Sequence, residues 1–225
     1  MGSPNHTFLR WFRNGVDSTA PAPKNAARMT RRCTALGDFI RSLRPLGIGV
    51  EDEKLRILDL GPTSPANISF LTELGLHVFS EDVLHAARDP QYRSLDEDGS
   101  ERIDIERFFL ENLHYPLGKF DAILAWDVLD YLPETLVAPM VERMAQILRG
   151  HGALLAFFHT KDAGPDLPQH SYRLVQPDMV ELDPRQGFRL QRVFQNRHIE
   201  NMFRDFASRK FFLGRDHLRE VILVR

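Results

Sequence analysis

Apolar and polar positions change period several times along this chain, and each change outlines an element. Residues 55–60, Leu-Arg-Ile-Leu-Asp-Leu, form an apolar run of the length of a buried strand, and Gly61 and Pro62 end it. Ser64 followed by Pro65 predicts a helix start: serine can accept from a free backbone N–H, and proline in the first turn loses no hydrogen bond. That helix is expected from about 65 to 74, with Ile68, Leu71 and Leu74 on its apolar face and Gly75 as a left-handed cap. A strand is expected at 76–81, a short helix near 83–88 and a polar surface loop over 89–102. Ile103, Ile105, Phe108, Phe109 and Leu110 mark an element that can hold a third strand. Phe120–Trp126 and Ala153–His159 read as buried strands. Between them, residues 135–149 carry a stripe of Leu136, Met140, Val141, Met144, Ile147 and Leu148, a helix that Gly150 and Gly152 are expected to stop.

The flanks are less regular. Residues 1–27 are rich in Pro, Asn, Ser and Ala around one apolar patch, Phe8-Leu9 with Trp11-Phe12, and read as a leader with a short apolar helix. Cys33, Leu36, Ile40 and Leu43, with Phe39 beside them, predict an amphipathic helix over 29–43 that ends before Pro45 and Gly47. After residue 160 the rhythm breaks into an insertion to about 195, with Pro165, Pro168, Pro177 and Pro184 and short strands at 171–175 and 188–194 that can pair. Ile199, Met202, Phe203 and Phe206 mark another helix. Arg209–Leu213 and Glu220–Val224 are two strands joined by so short a loop that they must run antiparallel. The division expected is a basic extension over 1–50, acting as a lid or brace, and an α/β domain over 51–225. Strands alternating with helices imply a mostly parallel sheet covered on both faces.

Composition adds bounds. At 225 residues and 43% hydrophobic content the chain can bury one full core. A single cysteine, Cys33, excludes a disulfide framework or a cysteine-based zinc site within one chain. No apolar run is long enough to span a bilayer, and the expectation is a soluble, cytoplasmic protein. The net charge of −2 hides an asymmetry, because residues 1–44 carry eight Lys or Arg against Asp17 and Asp38. That basic segment can dock onto the acidic body or meet an acidic partner. Without an interleaved basic and aromatic stripe on the body, a nucleic-acid substrate is not favoured. The Phe8–Phe12 patch is the one candidate for a homodimer contact.

Four segments in order, Leu58-Asp59-Leu60-Gly61, His77-Val-Phe-Ser-Glu81-Asp82, Phe120-Asp121 through Trp126-Asp127 to Asp130-Tyr131, and Ile147-Leu-Arg-Gly150-His-Gly152-Ala-Leu-Leu155, resemble the class I S-adenosylmethionine-dependent methyltransferases. The resemblance spans about residues 52–225. It implies a Rossmann-like fold: a mostly parallel seven-stranded sheet with a C-terminal antiparallel hairpin and helices on both faces. It also implies S-adenosylmethionine as cofactor and methyl transfer to a small-molecule acceptor that the sequence does not identify. The departure is in the first segment, where Gly61 stands alone before Pro62 and Pro65 and the family usually has two or three glycines.

The residues this reading assigns to the cofactor are Asp59, Gly61, Pro62, Thr63, Ser64, Glu81, Asp82, Asn112, Trp126 and Asp127. Asp59 either fixes the turn or orients the ligand's ammonium group. Asp82, with Glu81 as the other choice, offers two oxygens to a vicinal diol. Glu111 and Asn112 are candidates for the adenine, and Trp126 and Asp127 for the methionine end, although Trp126 reads equally as core. His159 is the candidate base or acceptor-orienting group, with Tyr131 and Tyr172 as further choices. No metal site is expected. Two other functions share these features: a methyltransferase-like binding or scaffold module without catalysis, and a nicotinamide-dependent oxidoreductase, which lacks its G-x-G-x-x-G here.

Overall fold

The computed structural model describes residues 29–43, 54–95, 101–160, 167–214 and 218–225, so the Phe8–Phe12 patch lies outside the described residues. The chain opens with β1 (Met29–Arg32) and α1 (Thr34–Leu43), followed by β2 (Arg56–Asp59), α2 (Pro65–Glu73), β3 (His77–Ser80) and α3 (Val83–Ala86). A small hairpin of β4 (Arg93–Leu95) and β5 (Glu101–Ile103) precedes α4 (Ile105–Glu111), β6 (Phe120–Trp126), α5 (Val128–Tyr131), α6 (Glu134–Ile147) and β7 (Leu148–His159). The insertion forms β8 (Gln169–Gln176) and β9 (Met179–Arg185), and the chain ends with α7 (Asn196–Met202), β10 (Ser208–Leu213) and β11 (Leu218–Val224).

The central sheet has six strands in the order β10-β11-β7-β6-β2-β3. β3, β2, β6 and β7 run parallel, β11 runs antiparallel to β7, and β10 runs antiparallel to β11. Alternation along the strands divides the core. Leu58, Ile123, Leu154 and Phe158 face a layer built from α3, α4, α5, α6 and α7. Ile57, Leu124, Leu155 and Phe157 face α1, α2 and a second, three-stranded antiparallel sheet, β1-β9-β8. With both faces covered, the central strands must be apolar on both sides, and every residue of Phe120–Trp126 is buried.

Several expectations are corrected. Among the described residues the central sheet has six strands rather than seven, and residues 105–111 are helical: Asp104 accepts from Arg107 N (2.9 Å) as N-cap, and Phe108 packs edge-on to Tyr92 at 5.3 Å. Ile105, Phe108 and Phe109 are spaced three and four apart, so they share a helix face, and a strand would have split them between two faces. Gly150 and Gly152 do not end α6; they lie within β7, where the register with β6 shifts between Phe120 and Ala122. A Cβ at Gly152 would sit 2.8 Å from Leu148 Cδ1, so the irregularity requires glycine there. The expected helix over 29–43 is a strand through Arg32 and a helix only from Thr34. Residues 188–194 form no strand, and the partner of β8 is β9. The apolar face of α2 is also different: Asn67 and Leu71 are buried and Ile68 is exposed.

One buried ion pair fastens the N-terminal elements to the sheet. Arg31 Nη1 lies 2.8 Å from Glu220 Oε1, both side chains are at most 5% exposed, and Glu220 Oε2 accepts from Ala35 N at the start of α1 (2.7 Å). Removing one partner of such a pair strands the other charge in a dry site. Glu220→Ala is expected to lower unfolding free energy by about 3–5 kcal/mol in urea titrations.

Candidate functional site

The site forms where the chain order reverses. β2 leads to β3 on one side and β6 lies on the other, so the gap above the C-terminal ends of β2 and β6 is the topological switch point of the parallel strands. Asp59, the last residue of β2, is 2% exposed. Its Oδ1 accepts from Gly61 N (3.0 Å) and Trp126 Nε1 (2.7 Å), and its Oδ2 accepts from Asn67 Nδ2 (3.0 Å). Burial pushes its pKa up, and these hydrogen bonds pull the other way. Both oxygens therefore have donors within the protein, and the bond from Gly61 N holds the turn after β2. A Cβ at Gly61 would lie 3.2 Å from Asp59 Oδ1 and from Cδ1 and Nε1 of Trp126, so a side chain there would need these neighbours to give by a few tenths of an ångström.

Trp126 ends β6 with φ +48, a left-handed conformation rare for a bulky residue, and its ring reaches back over the turn. It stacks on Tyr172 of β8, with ring centroids 5.0 Å apart and planes at 6°. Tyr172 Oη donates to Asp127 Oδ2 (2.9 Å), and Gln169 Nε2 donates to Asp127 Oδ1 (3.2 Å). Asp127 is fully buried, which raises its pKa. Asn67 joins the roof to the floor: besides Asp59 it donates to Tyr172 O (2.9 Å) and accepts from Leu174 N (2.8 Å).

Asp82 follows β3. Its Oδ1 accepts from His85 N (3.1 Å) to cap α3, while Arg185 at the end of β9 donates to both its oxygens, at 3.3 Å to Oδ1 and 2.6 Å to Oδ2. Glu81 accepts from Tyr115 Oη (2.7 Å), Thr63 Oγ1 lies 3.1 Å from Ser80 Oγ, and Ser64 caps α2 by accepting from Asn67 N (3.3 Å). Asn112 donates to Tyr92 Oη (2.8 Å) and Phe108 O (3.0 Å) at the end of α4, apart from the residues lining the cavity. The cavity is bounded by Asp59, Gly61, Pro62, Trp126, Tyr172 and Arg185, among others, and encloses about 10 Å³, room for about one water. The space left between these groups is too small for a nucleoside.

Beside this lies a second buried pair. Asp130 Oδ2 accepts from both the backbone N (2.6 Å) and Nδ1 (2.8 Å) of His159, at the end of β7. The hydrogen bond assigns the proton of a neutral ring to Nδ1 and leaves the lone pair on Nε2. Tyr131 lies edge-on to His159 at 5.6 Å, and burial raises its pKa. Burial also pushes Asp130 up to about 6, against the pull of His159. Burial lowers the pKa of the nearby His170. Asn67, Asp130, Gln169, His170 and Arg185 were not singled out from the sequence. Asn67 carried a signal, a polar residue on the face of α2 that turns inward.

No family model matches the chain, and no curated protein matches it significantly. Solved structures similar to it include an S-adenosylmethionine-dependent methyltransferase from Archaeoglobus fulgidus (10% identity over 85% of this chain and 93% of that one, TM-score 0.48). Another is an S-adenosylmethionine-dependent methyltransferase from Mesorhizobium loti (14% identity, 83% and 95%, TM-score 0.45). A third is the 1,6-didemethyltoxoflavin-N1-methyltransferase of Burkholderia thailandensis with bound 1,6-didemethyltoxoflavin and S-adenosylhomocysteine (12% identity, 82% and 76%, TM-score 0.41). At these identities and TM-scores the functional reading rests on this chain's own residues and strand order. Among the described residues no helix is long and apolar enough to cross a membrane, and no cluster of His, Cys, Asp or Glu could hold a metal ion.

Two outcomes follow from the geometry. Gly61→Ala is expected to cost about 1–3 kcal/mol of stability and to change the near-ultraviolet dichroism of the tryptophans, as the added methyl displaces the Trp126 ring. Because the folded state holds the Asp130 proton more tightly than the unfolded chain does, stability conferred by that group is full below pH 3.8 and declines as pH rises to about 6. Denaturation midpoints of Asp130→Asn and the unsubstituted protein across that range should diverge by roughly 3 kcal/mol equivalent.

Proposed function

We propose that this chain transfers a methyl group from S-adenosylmethionine to a small-molecule acceptor. The observation that carries the reading is the pairing of carboxylates with the switch point: Asp59 under the turn after β2 and Asp82 after β3, in a parallel sheet closed by the reversed strand β11. Asp82 carries two carboxylate oxygens, the number that two vicinal hydroxyls need once Arg185 gives them up, and Asp59 fixes the turn at Gly61 beside the cavity. The bound cofactor would supply an electrophilic methyl on a sulfonium. The chain's task is then to hold, align and exclude water, and to take a proton where the acceptor carries one.

His159 is assigned the proton. Asp130 orients its ring through Nδ1, so Nε2 can accept from an acceptor hydroxyl or amine, and Asp130 is a positioning residue. Tyr131 packs against the same ring. Trp126 borders the cavity, and Asp127 is held by Gln169 and Tyr172, which also line it. A second reading, a binding or scaffold module without catalysis, is favoured by one observation: Tyr172 and Arg185 already engage Trp126, Asp127 and Asp82.

Calorimetric titration with S-adenosylhomocysteine tests the cofactor without the unknown acceptor. Binding in the micromolar range, abolished in Asp82→Ala, is the expected result; absence of binding at millimolar ligand would favour the scaffold reading. With an acceptor in hand, His159→Gln should lower kcat by about 100-fold or more while leaving that affinity unchanged.

A further inference from the structure

The insertion does more than roof the site, because its side chains satisfy the groups a nucleoside ligand would need. Arg185 donates to both oxygens of Asp82, the position that the hydroxyls of a ribose would take. Tyr172 stacks on Trp126 with nearly parallel planes and spends its hydroxyl on Asp127. What remains is about 10 Å³, far too little for a nucleoside. The Arg185–Asp82 pair is well sheltered, with side chains 16% and 23% exposed, and Phe188 stacks under the Arg185 guanidinium at 4.4 Å from its ring centroid. Charge-assisted, bidentate contacts of this kind are strong enough to set a population.

We infer that Arg185 and Tyr172 form an intramolecular plug that competes with the cofactor for Asp82 and Trp126, so that binding requires their displacement. The inference rests on the cofactor reading above. Its consequence is quantitative: if the plugged form dominates, the apparent dissociation constant equals the intrinsic one divided by the unplugged fraction. Removing the plug then tightens binding without adding any contact.

The test is titration of the full chain with S-adenosylhomocysteine in three forms: unsubstituted, Arg185→Ala and Arg185→Lys. Arg185→Ala should bind roughly tenfold tighter, and Arg185→Lys, which keeps the charge and loses the fork, should fall between. Should Arg185→Ala fail to fold, the lysine variant alone carries the comparison. A second readout is the Arg185 side-chain Nε–H signal in nitrogen-15 spectra, which should shift and exchange faster with water when ligand is added. Equal affinity in all three forms, or an Arg185 signal unmoved in the complex, overturns the plug while leaving the cofactor reading intact. Binding by none of the forms removes the cofactor reading, and the plug with it.

Discussion

The buried carboxylate of Asp59 is the constraint from which the rest of the site follows. A charge 2% exposed must be satisfied on the spot, and the three donors come from three elements: the turn at Gly61, helix α2 through Asn67, and strand β6 through Trp126. Each donor is itself fixed by what it does for the acid. Gly61 leaves little room for a side chain, Trp126 has a left-handed backbone and its indole N–H reaches the acid, and Asn67 turns inward from a helix whose neighbour Ile68 faces out. Because Asn67 also bonds the backbone of β8 on both sides of Arg173, the same carboxylate registers the second sheet against the first.

Four acidic residues line the C-terminal ends of the parallel strands, and each is compensated differently. Asp59 has neutral N–H donors, Asp82 a guanidinium, Asp127 a phenol and an amide, and Asp130 an imidazole. Burial raises the pKa of Asp59, Asp127 and Asp130, so these three are protonated more readily than free carboxylates would be. Only Asp82 meets a formal positive charge that is always present, and it is the most exposed of the four. A group of that kind can exchange one partner for another without stranding a charge in a dry interior.

The three-stranded sheet links the two ends of the chain's logic. β1 lies beside β9, and the Arg31–Glu220 pair ties the same N-terminal strand to β11 of the central sheet. Motion of β8 and β9 away from the strand ends is thus restrained at the β1 edge, where Met29–Arg32 pair with Met179–Leu182. A change of partner at Arg185 asks for less rearrangement than one at Tyr172, which is packed between Trp126 and Phe157.

By itself the sequence determined what local chemistry determines. The strand ending at Asp59, the Ser64-Pro65 helix start and the strand Phe120–Trp126 were legible, because a buried run, a cap or a turn is set by neighbours in the chain. The tertiary structure decided everything that depends on distant partners. Residues 105–111 are a helix for local reasons, their apolar spacing and the Asp104 cap, but the segment is too short for its period to be told from a strand's. Gly150 and Gly152 serve a strand irregularity rather than a helix end because β6 lies alongside. The pairing of Asp130 with His159 spans 29 positions and that of Asp82 with Arg185 spans 103, and no periodicity encodes either. A carboxylate in a sequence announces only that a partner is needed; which partner it finds is settled by folding, where burial makes an unpaired charge costly.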